Sequence, residues 1–214
     1  MKTKTNGIEL NYEVYESAGK PGAPWITLSH SLACNMHMWD DQMNMLTQKF
    51  RVLRFDTRGH GQSTAPAGDY TLDQMADDVK GLFDVLGITQ THWMGLSMGG
   101  MIGQTFALKY PGVFQSLILA DTTSRRPPNA AEMWGARIQA AREGGMPAIL
   151  DSTLARWFTA PYKASAKDVM ARIGQQILTT PVDGFCGACA AIAKVDTDRK
   201  STRLNSSHVS ESRM

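Results

Sequence analysis

Ser97 stands at the centre of Gly95-Leu96-Ser97-Met98-Gly99. A serine hydroxyl is a weak nucleophile, so it works only where a base can reach it and backbone N–H groups can hold an oxyanion. Glycines two residues to either side remove side chains where a strand runs into a helix, which leaves the serine at the apex of a sharp turn. The chemistry implied is acyl transfer. Met98 would give one oxyanion donor through its backbone N–H, at a helix start where the dipole also favours negative charge. A second donor is expected from the loop after an earlier strand. That loop is His30-Ser31-Leu32-Ala33, with the Leu32 N–H as the candidate and His30 ordering the loop by hydrogen bonding.

Asp56-Thr57-Arg58-Gly59-His60-Gly61-Gln62-Ser63 is the other conspicuous stretch. Its spacing fits neither the dinucleotide nor the P-loop pattern. Asp56 and Arg58 are expected to hold a loop through hydrogen bonds and an ion pair, with the glycines turning the chain. His37 and His92 have no ligand-spaced partners, so no metal is expected. Cys34, Cys186 and Cys189 are an odd set that builds no disulfide framework, and Cys186 and Cys189 fall among small residues of a helix as packing thiols.

The elements that must position these groups follow from periodicity. Asn6-Gly7 turns a hairpin between Lys2 to Thr5 and Ile8 to Tyr15. Short apolar strands are expected at Trp25 to Ser29, Arg51 to Asp56, His92 to Leu96 and Ser116 to Ala120. Helices are expected between them at Trp39 to Phe50, from the Thr71 capping box to Leu86, and at Met98 to Tyr110. That alternation means a doubly wound, mostly parallel α/β sheet. From Thr122 the rhythm changes to four helices without a strand, Asn129 to Gly144, Pro147 to Trp157, Ala166 to Thr179 and Pro181 to Lys194. They are expected to cap the sheet's C-terminal edge. The division is then residues 1–121 as core, 122–197 as helical cap and 198–214 as a tail.

The tail is read apart, because Asp198 to His208 is the in-frame translation of a common short-read sequencing adapter. Residues 198–214 are therefore expected to be non-native and disordered. They carry Arg199, Lys200, Arg203 and Arg213 against Asp198 and Glu211, which is the whole formal excess of +2. The basic balance is thus no sign of a nucleic-acid or membrane partner, and a small-molecule substrate is expected. No apolar run approaches the roughly 20 residues that span a bilayer, which points to a cytoplasmic protein.

Trp25 to Leu32, Asp56 to Ser63 and Gly95 to Gly100, with Met133-Trp134-x-x-Arg137 and Arg156-Trp157-Phe158-Thr159, together resemble the α/β-hydrolases, and among them the 3-oxoadipate enol-lactonases. The likeness runs from the opening hairpin to about Val195; His30-Ser31 departs from the commoner His-Gly. It implies serine attack on a lactone carbonyl, an acyl-enzyme, and release of a 3-oxo dicarboxylate in aromatic-compound catabolism, without a cofactor. A substrate of that kind has a free carboxylate. Trp134 and Arg137 stand three apart on one expected helix, so Arg137 is the candidate carboxylate partner, with Trp134 or Trp157 walling the pocket.

The same resemblance implies a triad in the order serine, acid, histidine. Acids follow Ser97 at Asp121, Glu132, Glu143, Asp151, Asp168, Asp183 and Asp196, whereas the next histidine is His208, inside the tail. The triad acid and histidine, with the last strands, are therefore expected to be missing, and the chain to be a truncated and inactive form with an exposed sheet edge. Other serine hydrolases (a thioesterase, a C–C hydrolase, a cofactor-free haloperoxidase) and a non-catalytic binding module remain open.

Overall fold

The computed structural model describes residues 1–19 and 21–198. Its sheet has six strands, β1 (Lys2–Thr5), β2 (Ile8–Tyr15), β3 (Trp25–Ser29), β4 (Arg51–Phe55), β5 (Thr91–Leu96) and β6 (Phe114–Ala120), in the order β1-β2-β4-β3-β5-β6. The hairpin β1–β2 and the β2–β4 pair are antiparallel, while β4, β3, β5 and β6 run parallel to their neighbours. The expected α/β sheet is therefore present. Parallel strands carry their C-terminal ends to one edge, and the loops following Ser29, Phe55, Leu96 and Ala120 meet there.

Both faces of the sheet are covered. Helix α1 (Asp40–Leu46) and a 3-10 turn at Met36–Trp39 pack Trp39 and Leu46 on Ile26, Leu28 and Val52. On the other face lie α2 (Leu72–Leu86) and α3 (Met98–Lys109), where Phe83 meets Phe106 edge-on with centroids 5.4 Å apart and Trp93 is fully buried. Helix α2 starts as its sequence implies, since the Thr71 hydroxyl accepts from the Gln74 N–H at 3.0 Å, and Gly87 ends it at φ 66°. The stretch expected as one helix from Trp39 to Phe50 is instead a 3-10 turn followed by seven α-helical residues. Asn35 caps that turn through the His37 N–H, and Thr47 bonds back to the Met43 carbonyl, drawing the chain out of the helix.

Beyond β6 come α4 (Ala130–Gly144), α5 (Pro147–Trp157), α6 (Ala160–Ser165), α7 (Lys167–Thr179) and α8 (Val182–Ile192). Four were expected, and the short α6 is additional. Its signal is in the sequence: Thr159 caps the Tyr162 N–H and Pro161 occupies the first turn. Helix α8 packs on the loop after β4 so closely that a Cβ on Gly184 would lie 1.9 Å from the Gly59 carbonyl oxygen. It thereby anchors the helical segment over the sheet's C-terminal edge. The far side of β6 has no partner strand among the described residues, and Ile118 and Leu119 are 45% and 43% exposed there. Of the tail, only Asp198 lies within the described residues, in an ion pair with Arg125; the expectation for the remainder lies outside them. Among the described residues no helix is long and apolar enough to cross a membrane.

Candidate active site

Ser97 joins β5 to α3 with φ 51° and ψ −109°, a strained conformation that non-glycine residues rarely hold. The surroundings over-determine it. Its N–H donates to Ala120 O at 2.9 Å, and its carbonyl accepts from the Thr122 hydroxyl at 2.7 Å and from the Gly100 and Met101 N–H groups. Glycine is required on both sides: a Cβ on Gly95 would sit 2.3 Å from Gly99 O, and one on Gly99 would sit 2.2 Å from Ser29 O. Trp93 Nε1 fastens the turn by donating to Gly99 O at 3.1 Å.

The serine faces a cavity of about 460 Å³ under the capping helices. Leu32, Ser97, Trp134, Arg137 and Trp157, all singled out from sequence, line this one cavity. Met98 is fully buried at the first position of α3, where its N–H has no intrahelical acceptor. The Leu32 N–H makes no hydrogen bond within the protein among the described residues. Its loop is held by the next residue: Ala33, at φ 59°, donates its N–H to His60 Nε2 at 3.1 Å. His60 Nδ1 lies 3.1 Å from Arg58 O, so the ring is a neutral tautomer with its proton on Nδ1. His30 is likewise tied between Ser31 O at 2.8 Å and the Thr57 N–H at 2.9 Å.

The loop after β4 has the structural role expected, with one difference in partners. Asp56 accepts from Asn11 Nδ2, Met36 N and Gln62 N at 2.8 to 2.9 Å, while Arg58 pairs across the fold with Asp78 on α2. His37 contacts Asp40, and His92 contacts Ser116. All four described histidines are thus engaged away from Ser97. The three cysteines are free and buried, and burial pushes the Cys34 thiol up to about 12.

Sequence reasoning missed Cys34, Thr153 and Arg156, which also line the cavity, whereas Asp121, at φ 40° after β6, was already among the possible acids. Thr153 is 1% exposed and its hydroxyl accepts from Arg137 Nη2 at 3.0 Å, tying α5 to α4. The available signal was spacing: Thr153, Arg156 and Trp157 stand three and four apart on α5, as Trp134 and Arg137 do on α4. The Arg137 guanidinium lies 5.7 Å from the rings of both Trp134 and Phe185.

The alpha/beta hydrolase fold family matches residues 24–175. The chain belongs to that family. It is 33% identical over 198 residues to 3-oxoadipate enol-lactonase 2 of Acinetobacter baylyi, covering 92% of this chain and 72% of that protein. Among solved structures it is similar to the enol-lactonase from Burkholderia xenovorans LB400, at 39% identity and a TM-score of 0.89, over 94% of this chain and 76% of the other. A thermophilic esterase from Thermogutta terrifontis, solved with malate bound, superposes with a TM-score of 0.85 at 31% identity, over 95% and 75% of the two chains.

Proposed function

We propose that Ser97 is the nucleophile of a hydrolase for carboxylic esters or lactones, with 3-oxoadipate enol-lactone as the substrate. The observation that carries this reading is the strained turn that presents Ser97 to the floor of a cavity walled by Trp134, Arg137 and Trp157. In the proposed reaction Ser97 Oγ adds to the lactone carbonyl, and the Leu32 and Met98 N–H groups receive the oxyanion. The ring C–O bond then breaks, the proton lost by Ser97 passing to the departing enol oxygen, to leave an acyl-enzyme; the enol tautomerises to the ketone, and water adding to the acyl carbon returns the proton to Ser97 and releases the 3-oxo dicarboxylate. Arg137 binds the carboxylate that the lactone already bears, and the two tryptophans wall its carbon chain. Enol-lactonases among the relatives, and the malate found with a related esterase, support an acidic substrate.

The reading needs a base that the described histidines do not supply, since each is hydrogen-bonded elsewhere. We infer that the 214-residue chain hydrolyses at most feebly, with only what the oxyanion donors and binding provide. Residues 198–214 are proposed to be adapter-derived, and sequencing the source DNA across the codon for Thr197 tests that. For the natural gene product, turnover of 3-oxoadipate enol-lactone is compared with that of a neutral aryl ester. A preference for the lactone is expected, and Arg137→Ala should raise KM for it by about tenfold or more with little change for the ester. Equal turnover of the two would point to another serine hydrolase. No detectable turnover of either would favour a binding module.

A further inference from the structure

Arg137 and Arg156 face one cavity from neighbouring helices, and no carboxylate in the described residues answers either of them. Among those residues neither arginine forms an ion pair, and Arg137 Nε is buried with no hydrogen-bond partner. The acid in the cavity lining is Asp121, which directly follows β6 as Ser97 directly follows β5. Elsewhere the protein does not leave its buried cations unanswered: Arg58 meets Asp78, and Arg54 meets Glu13 and Asp40. The cavity is the exception.

Burial disfavours the Arg137 cation, and the charge of Arg156 disfavours it further. A buried N–H left unmatched carries an uncompensated desolvation cost. Among the described residues Trp39 Nε1 and the hydroxyls of Ser29, Thr57 and Thr105 are also buried without a partner, and what sets Arg137 apart is that its orphaned donor belongs to a cation lining the cavity. An anion entering the cavity would satisfy the free Nε–H and separate two like charges with one opposite charge. The geometry is held in advance, because Thr153 fixes Arg137 through its hydroxyl and stands one turn before Arg156 on the same face of α5.

We propose that Arg156 is a second specificity-determining cation, which with Arg137 brackets a single carboxylate at the helical wall of the cavity and selects acidic over neutral acyl substrates. The proposal rests on the reading of Arg137 as the carboxylate partner. It adds a residue to which no role has been given, and it makes the selected ligand class a short dicarboxylate or its half-ester or lactone. Arg156 is exposed and Arg137 half-buried, so the carboxylate reaches Arg156 first from solvent and Arg137 at depth.

The test is binding and needs no turnover. Adipate, and its neutral dimethyl ester, are titrated into the 214-residue chain at low ionic strength and followed by calorimetry, with the total tryptophan emission as the second readout, since two of the five tryptophans, Trp134 and Trp157, line the cavity. Arg156→Gln is expected to weaken adipate at least tenfold and dimethyl adipate less than twofold. Arg156→Lys, which keeps the charge without the planar fork, should fall between. Unchanged adipate affinity in Arg156→Gln, with a loss in Arg137→Gln, would overturn the role of Arg156 and leave Arg137 standing. Equal weakening of adipate and the dimethyl ester in Arg156→Gln would overturn the cation role of Arg156 in favour of packing, and the same result in Arg137→Gln would overturn that of Arg137. If the unsubstituted chain binds no adipate at millimolar concentration, the bracket is wrong, while the hydrolase reading still rests on the lactone turnover measurement. Far-ultraviolet dichroism checks that each variant is folded, and the exposed position of Arg156 predicts that both of its variants are.

Discussion

Asp78→Ala is expected to destabilise the fold by about 3–5 kcal/mol, because it leaves the Arg58 guanidinium buried without a counter-charge. Both side chains are 3% exposed, and the pair is bidentate, with Nε to Oδ2 at 2.7 Å and Nη2 to Oδ1 at 2.6 Å. Asn6 donates to the same carboxylate at 2.8 Å and would also lose its partner. Burial raises the Asp78 pKa against the pull of Arg58 and Asn6, which marks how little water reaches the site. In a domain of this size the loss corresponds to roughly 6–20 °C of melting temperature. Replacing both partners by apolar residues of similar volume, Arg58→Met with Asp78→Leu, should recover most of it, since no lone charge then remains. A loss below about 1 kcal/mol in Asp78→Ala would show that the guanidinium reaches solvent, and would sink the argument.

The consequence extends to the cavity. Arg58 O receives His60 Nδ1, and His60 Nε2 receives the Ala33 N–H, so the pair on α2 supports the loop that carries Leu32. Ligand affinity in the cavity should fall together with stability in Asp78→Ala, whereas Arg137 or Arg156 variants should lower affinity alone.

How much of this was legible in the sequence depended on how local the cause was. The elbow could be read because its constraint is local: Gly95 and Gly99 are needed within two residues of Ser97, and the strand-helix context lies on either side. The parallel order could be read as a class, since strands alternate with long helices. Partners far apart in sequence could not. Nothing near Arg58 announces that its counter-charge is Asp78 on the next helix and not Asp56 two residues away. The helix after Trp39 was expected too long because apolar periodicity continues to Phe50, while the hydroxyl of Thr47 and the turn capped by Asn35 decide its real ends. Arg156 was quoted as part of a motif but given no role, since only the packing of α5 on α4 brings it into the lining of the same cavity as Arg137.

The second large effect is a loss of stability in acid, and it follows from His60 and His30. His60 is fully buried, and its pKa is lowered to about 3 from 6.5, first by burial and then by the charge of His30, against the hydrogen bond to Arg58 O. His30, with its ring centroid 5.2 Å away, is also lowered by burial, although the charge of Asp56 and the bond to Ser31 O oppose the shift. The unfolded chain takes up protons near pH 6.5 that the folded chain refuses. The stability that His60 contributes is therefore complete above about pH 6.5 and is lost as pH falls through the interval down to about 3, and His30 acts in the same direction. Each histidine contributes up to a tenfold loss in the folding constant per pH unit, so the two together approach a hundredfold. Ordinary carboxylates titrate near pH 4, which leaves the interval from 6.5 to about 4.5 to the histidines. Denaturant unfolding at four or five pH values across that interval should show this slope, and His60→Gln, whose amide oxygen can still accept from Ala33, should remove about half of it. An unchanged slope in His60→Gln would assign the acid lability to other groups. A reduced slope with adipate affinity retained at pH 5 would show that the proton acts through the loop beneath Leu32, because a protonated Nε2 turns an N–H toward the N–H of Ala33 and forces that loop away from the cavity.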